Sequence, residues 1–258
     1  MFKYLHIKNK MCDIVLMGDA ILDNYAGLNN SDNDLKWELE ERGYKVKNAA
    51  CDGCTLSNLS KGNMIPKKNG YDVDSNSRLD QFRILDIGNK EQGKKVPTVV
   101  LSIGGSDMKN KSISFVLGAK AFIENLLTNS FIKSYEEIIE RILDKTPNLI
   151  LTVLFEPCIA NGSPYGIFAN QLDFVYSEWR KFILSIATKY DLPVIDLSCT
   201  LNKNNRSHYG KNYTCMSDKS NKLFSKMIKY VCENYQGKVV YFAPDCDTKT
   251  IKKYKIKN

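Results

Sequence analysis

The sequence predicts a three-layer α/β/α domain, doubly wound around a mainly parallel five-stranded sheet. Five short apolar runs rich in β-branched residues recur at wide intervals, and three of them are nearly continuous in apolar residues. That continuity is expected of strands buried on both faces of a parallel sheet. The segments between the runs carry helical periodicity, and strand–helix alternation of this kind winds helices onto both faces of one sheet by right-handed crossovers. Hydrophobic residues make up 43% of the 258 positions, enough for one such core and far from the composition of a disordered chain.

The first run, Cys12–Met17 (CDIVLM), is the first strand. Asp34–Arg42 opens with an aspartate and ends at Gly43, a C-cap, so it reads as a helix. Val46–Ala50 is the second strand. Leu56–Lys95 is mostly polar loop with a weak helix around Arg78–Ile87. Thr98–Ile103 (TVVLSI) is the third strand, and Ile113–Leu127 and Tyr135–Leu143 then place apolar residues three and four apart. Leu149–Phe155 (LILTVLF) is the fourth strand, Ala169–Tyr190 the longest helical segment and Pro193–Leu197 (PVIDL) the fifth strand. Ser217–Tyr235 closes the alternation with Ser217 as its N-cap. One domain over residues 1–258 is expected, with its core at about residues 12–235. Gly237–Asn258 would be a basic appendage carrying a short strand at Val239–Phe242.

The net charge is +8. Lysines gather in Lys3–Lys10, at Lys67–Lys68 and Lys94–Lys95, and in the run Lys252, Lys253, Lys255, Lys257. They are dispersed and lack interleaved aromatic residues, so a solvated surface is expected in place of a nucleic-acid interface. Eight cysteines include the pair in Cys51-Asp52-Gly53-Cys54, but no second CxxC follows and the two histidines, His6 and His208, offer no paired ligand spacing. No metal and no other cofactor is therefore expected. Met1–Lys10 is basic and mixed and no apolar stretch reaches membrane-spanning length. The expected setting is the cytoplasm, with reduced thiols.

Doubly wound sheets bind ligands beyond the carboxyl ends of their strands, where the winding reverses. The loops after the strands therefore hold the chemistry. After the first strand stands Gly18-Asp19-Ala20-Ile21-Leu22-Asp23-Asn24, after the second Asn48-Ala49-Ala50-Cys51-Asp52-Gly53, and after the third Ser102-Ile103-Gly104-Gly105-Ser106-Asp107. Before the final helix lie Asn205-Arg206-Ser207-His208 and Asn212-Tyr213-Thr214-Cys215.

These blocks, in this order from Cys12 to about Tyr235, resemble those of the SGNH (GDSL-type) hydrolases. The first is similar to GDSILDN, with Ala20 in the place of the nucleophilic serine. The resemblance implies a flavodoxin-like sheet and a carboxyl-ester hydrolase site. The serine of the family attacks an acyl carbonyl, and the oxyanion is held by its own backbone N–H, a glycine N–H and an asparagine amide. Carried over, the oxyanion positions are Ala20, Gly53 and Ser106, with Asp19 and Asp107 flanking them. Ser106 replaces the asparagine, and losing one such donor costs about 2.7–4 kcal/mol of transition-state stabilisation.

The family's D-x-x-H block, which supplies the general base and its orienting carboxylate, has two competing registers here. Residue identity favours Asn205 and His208; distance to the final helix favours Asn212 and Cys215. Either way the carboxylate is absent. Two readings follow. In one, the chain is a catalytically inactive member of the fold that retains a cleft for an acyl- or acetyl-bearing ligand or a partner. In the other, it is a serine esterase or deacetylase with His208 as base, whose natural residue 20 is serine. In that case Asp196 or Asp218 could replace the missing carboxylate. A third reading keeps catalysis with Ser106, Cys51 or Cys54 as nucleophile.

Overall fold

The computed structural model describes residues 14–23, 34–51, 53–56, 59, 81–82, 96–110, 118–211, 213–244 and 250–257. Cys12, His6, Asn24, Asp52, Asn212, most of Arg78–Ile87 and the lysines at 3–10, 67–68 and 94–95 lie outside them.

Seven strands form one sheet, ordered β2-β1-β3-β4-β5-β6-β7. They are β1 (Ile14–Gly18), β2 (Val46–Asn48), β3 (Thr98–Ser102), β4 (Leu149–Val153), β5 (Val194–Asp196), β6 (Val239–Phe242) and β7 (Lys252–Lys255). The first six are parallel, and β7 joins β6 antiparallel. The five expected strands are all present at their apolar runs. The strand expected at Val239–Phe242 is part of the sheet, not of an appendage to it, because it pairs with β5. The seventh strand carries the sequence KKYK with every residue exposed. It has no apolar alternation to read, since an edge strand armed with lysines is built to be seen by water.

Alternation along the strands divides the core in two. Val15, Met17, Val99 and Leu101 face one layer with Phe122, Tyr135, Trp179 and Ile183. Ile14, Leu16, Val100 and Ile195 face the other with Leu35, Leu39, Phe224 and Ile228. The first layer is built by α4 (Ala119–Leu126), α5 (Asn129–Leu143) and α6 (Ala169–Tyr190), the second by α2 (Leu35–Glu40) and α7 (Asp218–Glu233). Two four- to six-residue helices, α1 (Ala20–Asp23) and α3 (Gly105–Asn110), follow β1 and β3.

Helix starts obey local capping. Asp34 accepts from the Trp37 N–H at 2.7 Å, Thr128 from Phe131 at 3.4 Å and Ser217 from Ser220 at 3.4 Å. Thr128 explains why α5 begins at Asn129, one and a half turns ahead of the Tyr135 start read from periodicity. Phe131 and Ile132 stand four and three residues before Tyr135 and pack against the core, so the apolar spacing itself runs back into this first turn.

The chain reverses its winding between β1 and β3, which pair in register from Ile14↔Thr98 to Gly18↔Ser102. Gly18 has φ +126°, and a Cβ there would lie 1.7 Å from the Ser102 carbonyl oxygen. This contact lets the two strand ends lie against each other where their loops diverge.

A side chain that the sequence did not mark secures the same place. Gln81 is 2% exposed. Its Oε1 accepts from the Gly18 N–H at 2.7 Å, and its Nε2 donates to the Gly18 carbonyl at 3.0 Å and to the Cys54 Sγ at 3.4 Å. Gln81 thus extends the sheet's hydrogen bonding past the end of β2 with a side-chain amide. Substituting Gln81→Leu leaves the buried Gly18 N–H without this acceptor and should lower stability by about 1–3 kcal/mol, read as a lower urea midpoint at unchanged slope.

Candidate functional site

The turn after β1 is organised by Asp19, 1% exposed. Its backbone N–H donates to the Ser102 carbonyl at 2.8 Å, and its carbonyl accepts from Leu22 and Asp23, both at 3.2 Å, starting α1. Its carboxylate reaches the other loop: Oδ2 accepts from the Gly105 N–H at 2.7 Å, and Oδ1 from Ile21 at 3.5 Å. Gly105 leaves room for this oxygen, since a Cβ there would sit 3.0 Å from Oδ2. The first loop is thereby fastened to the third, and Ala20 and Ser106 come to one place at the topological switch.

A cavity of about 400 Å³ opens over that place, a size in the range of small-molecule sites. Asp19, Ala20, Ile21, Gly105, Ser106 and Met108 line it from the strand ends, and Thr214 and Cys215 from the loop before α7. The remaining wall is apolar and aromatic, with Phe122, Leu154, Phe155, Leu172, Val175 and Tyr176 among its members. Tyr165 and Phe168 close one side from the 3₁₀ turn Gly166–Phe168, which leaves Ile167 81% exposed. Burial pushes the Tyr176 phenol well above its usual range, and the charges of Glu156, Tyr165 and Asp19 add to the shift.

Of the residues the sequence singled out, Asp19, Ala20 and Ser106 meet in the cavity wall. Gly53 and Asp107 are not in it. Gly53 is exposed with φ +84°, and nothing lies within 4 Å of where a Cβ would be, so the left-handed turn alone calls for glycine. Asp107 accepts from the Leu56 N–H at 2.9 Å and so ties α3 to the loop after β2.

His208 does not reach the cavity wall either. It is 1% exposed in the 3₁₀ turn Arg206–His208. Its Nδ1 accepts from the Asn202 backbone N–H at 2.9 Å, and its Nε2 lies 3.2 Å from the Asn205 side-chain nitrogen. Asn205 caps the turn, accepting from the Ser207 N–H and hydroxyl at 3.1 and 2.8 Å. In this arrangement His208 has a fold-building occupation. The loop register set by distance to the final helix is the one that delivers a residue, Cys215, to the wall. Its partner Asn212 lies outside the described residues.

Asp196, 0% exposed, is held by Arg180 at 2.6 Å, the Ser198 hydroxyl at 2.6 Å and the Cys199 N–H at 3.1 Å, so it is committed elsewhere. Asp218 begins α7. Cys51 and Cys54 are outside the wall, and burial pushes the Cys54 thiol far up, with the Asp19 charge adding. That is the reverse of what an activated thiolate needs. No group of three or more potential metal ligands occurs among the described residues, and none of their helices is long and apolar enough to cross a membrane.

No family model and no curated protein matches the chain. Solved structures do. The lipase Lip_vut3 from a goat rumen metagenome is 12% identical, covers 85% of this chain and 97% of its own, and superposes with a TM-score of 0.60. A member of the lipolytic protein G-D-S-L family from Veillonella parvula is 14% identical over 87% of this chain and 98% of its own, with a TM-score of 0.53. A carbohydrate acetylesterase family member from Sinorhizobium meliloti is 13% identical over the same two shares, also at 0.53. At such identities the likeness is one of fold. The three-layer, mainly parallel architecture is that of the G-D-S-L hydrolases.

Proposed function

We propose that this chain, built on the fold of the G-D-S-L hydrolases, is a binding domain that holds an acyl- or acetyl-bearing ligand above Ala20 without hydrolysing it. One observation carries the reading: at the two places where the G-D-S-L pattern calls for a nucleophile and a base, the wall presents the Ala20 methyl group and, before α7, Thr214 and Cys215. Among the described residues no histidine lines it. A methyl group has no lone pair with which to attack a carbonyl, and a serine protease deprived of its nucleophile retains only residual rate. The apolar wall meanwhile favours an alkyl chain by about 25 cal/mol per Å² of surface removed from water. The cytoplasm is taken as the setting, in keeping with the cysteine pattern.

Methyl decanoate should therefore bind and raise the melting temperature. Saturation at a hundred times the dissociation constant adds about 2.7 kcal/mol to stability. In parallel, p-nitrophenyl acetate should release p-nitrophenol no faster with protein than in buffer. Release proportional to protein concentration and lost in His208→Ala would instead support a hydrolase that uses this histidine as its base.

A further inference from the structure

We propose that the open edge of β7 receives an extended acidic peptide, which joins the sheet as an eighth strand. β7 ends the strand order, and its inner side pairs with β6. The Ile256 N–H donates to the Lys238 carbonyl at 2.8 Å. Backbone direction alternates along an antiparallel ladder, so Lys252 and Tyr254 bond inward, while Lys253 and Lys255 turn their N–H and C=O groups outward. Those outward groups are a template on which a further strand can form. The edge is also held in place. The Arg180 guanidinium of α6 donates to the Tyr254 hydroxyl, and Asp196 at the end of β5 anchors that guanidinium at 2.6 Å. A partner therefore meets a strand already formed and has only itself to order.

Charge names the partner. Lys252, Lys253, Lys255 and Lys257 are all exposed, and among the described residues none of them forms an ion pair. Ile251 packs toward the second core layer and Ile256 toward the first. Side chains alternate along a strand, so Lys253 and Lys255 stand together on the α7 side and Lys252 stands on the α6 side. Side chains two residues apart on one face of a strand are separated by about 7 Å. Carboxylates at every second position of an added strand repeat at that same interval, so each falls opposite an ammonium group. The lysines that turn away another copy of this edge thus admit a strand of opposite charge. A nucleic acid would answer the charge, but its phosphates have no hydrogen to donate to the outward carbonyls. A peptide satisfies both.

The test is fluorescence anisotropy on the full chain with the labelled peptide Thr-Glu-Val-Glu-Val-Glu-Thr. The peptide is expected to bind at low ionic strength and to weaken as salt is added. Its counterpart with lysine in place of glutamate should not bind. The acidic peptide N-methylated at every residue should bind about tenfold or more less tightly, having lost its backbone donors. Lys253→Glu combined with Lys255→Glu, both on the surface, should reverse the preference toward the lysine peptide. Absence of binding at low salt overturns the proposal. Equal binding of the N-methylated peptide overturns strand addition, and unchanged binding by the double variant moves the peptide off this edge. An oligothymidylate that binds more tightly than the acidic peptide, and is lost in the double variant, would make the edge a nucleic-acid surface instead.

Discussion

The Ala20→Ser protein is expected to hydrolyse p-nitrophenyl acetate no faster than the parent chain, and Ala20→Ser combined with Cys215→His about 10²-fold faster. The asymmetry follows from how nucleophile and base work. In a serine protease the loss of either alone costs about as much as losing the whole triad, near 10⁶ in turnover. A wall that lacks both gains nothing when one is restored. Cys215 is the place for the base because it lines the cavity with Ala20, whereas His208 is turned to the Asn202 N–H. Asn212 would still stand where the orienting carboxylate belongs in that register, and an Asp-to-Asn change costs about 10⁴. That leaves about 10² of the 10⁶, and adding Asn212→Asp should recover a further part, with Ser106 in the asparagine's place still costing about 2.7–4 kcal/mol. The decisive comparison is Ala20→Ser alone. Activity there that disappears with His208→Ala would return His208 to the site and sink the assignment of the base position to Cys215.

Gly18→Ala is expected to lose on the order of 3–5 kcal/mol, a large share of the 5–15 kcal/mol that holds a typical domain together. Two penalties combine. The residue has φ +126°, a region side chains rarely adopt, and the added methyl would sit 1.7 Å from the Ser102 carbonyl oxygen. The obstacle is backbone, so no side-chain rotation relieves it, and β1 must part from β3. Gly43→Ala is the control: its φ is +84° and nothing lies within 4 Å of the added carbon, so only the dihedral penalty of about 1–2 kcal/mol remains. Denaturant midpoints for the two variants that fall within experimental error of each other would show that the strand ends are not in hard contact.

The parts of this molecule that the sequence made legible are those whose physics is periodic. β1, β3 and β4 are buried along their whole length, so nearly unbroken apolar runs were enough to find them. α6 spans Ala169–Tyr190 as its spacing required. The convergence of Ala20 and Ser106 was readable as well, since both follow strands at the point where the winding turns. Three features were not. β7 hides because its residues face water. Gln81 hides because a lone glutamine in a polar stretch looks the same whether it is solvated or clamps Gly18 through both halves of its amide. The setting of His208 hides behind its identity. A histidine three residues after an asparagine fits a catalytic block, while its burial and its bond to Asn202 depend on how the loop folds back, which no local pattern encodes.

The lysine-bearing final strand also bears on how this protein meets copies of itself. Beneath it, Val239–Phe242 is an apolar ribbon whose outer backbone groups are taken up by Lys252–Lys255. Two such flanks brought edge to edge would set three ammonium groups against three, a fence whose reach is about 10 Å at moderate ionic strength and only about 3 Å in molar salt. Edge-to-edge pairing at this rim would therefore be opposed more strongly at low ionic strength than at high.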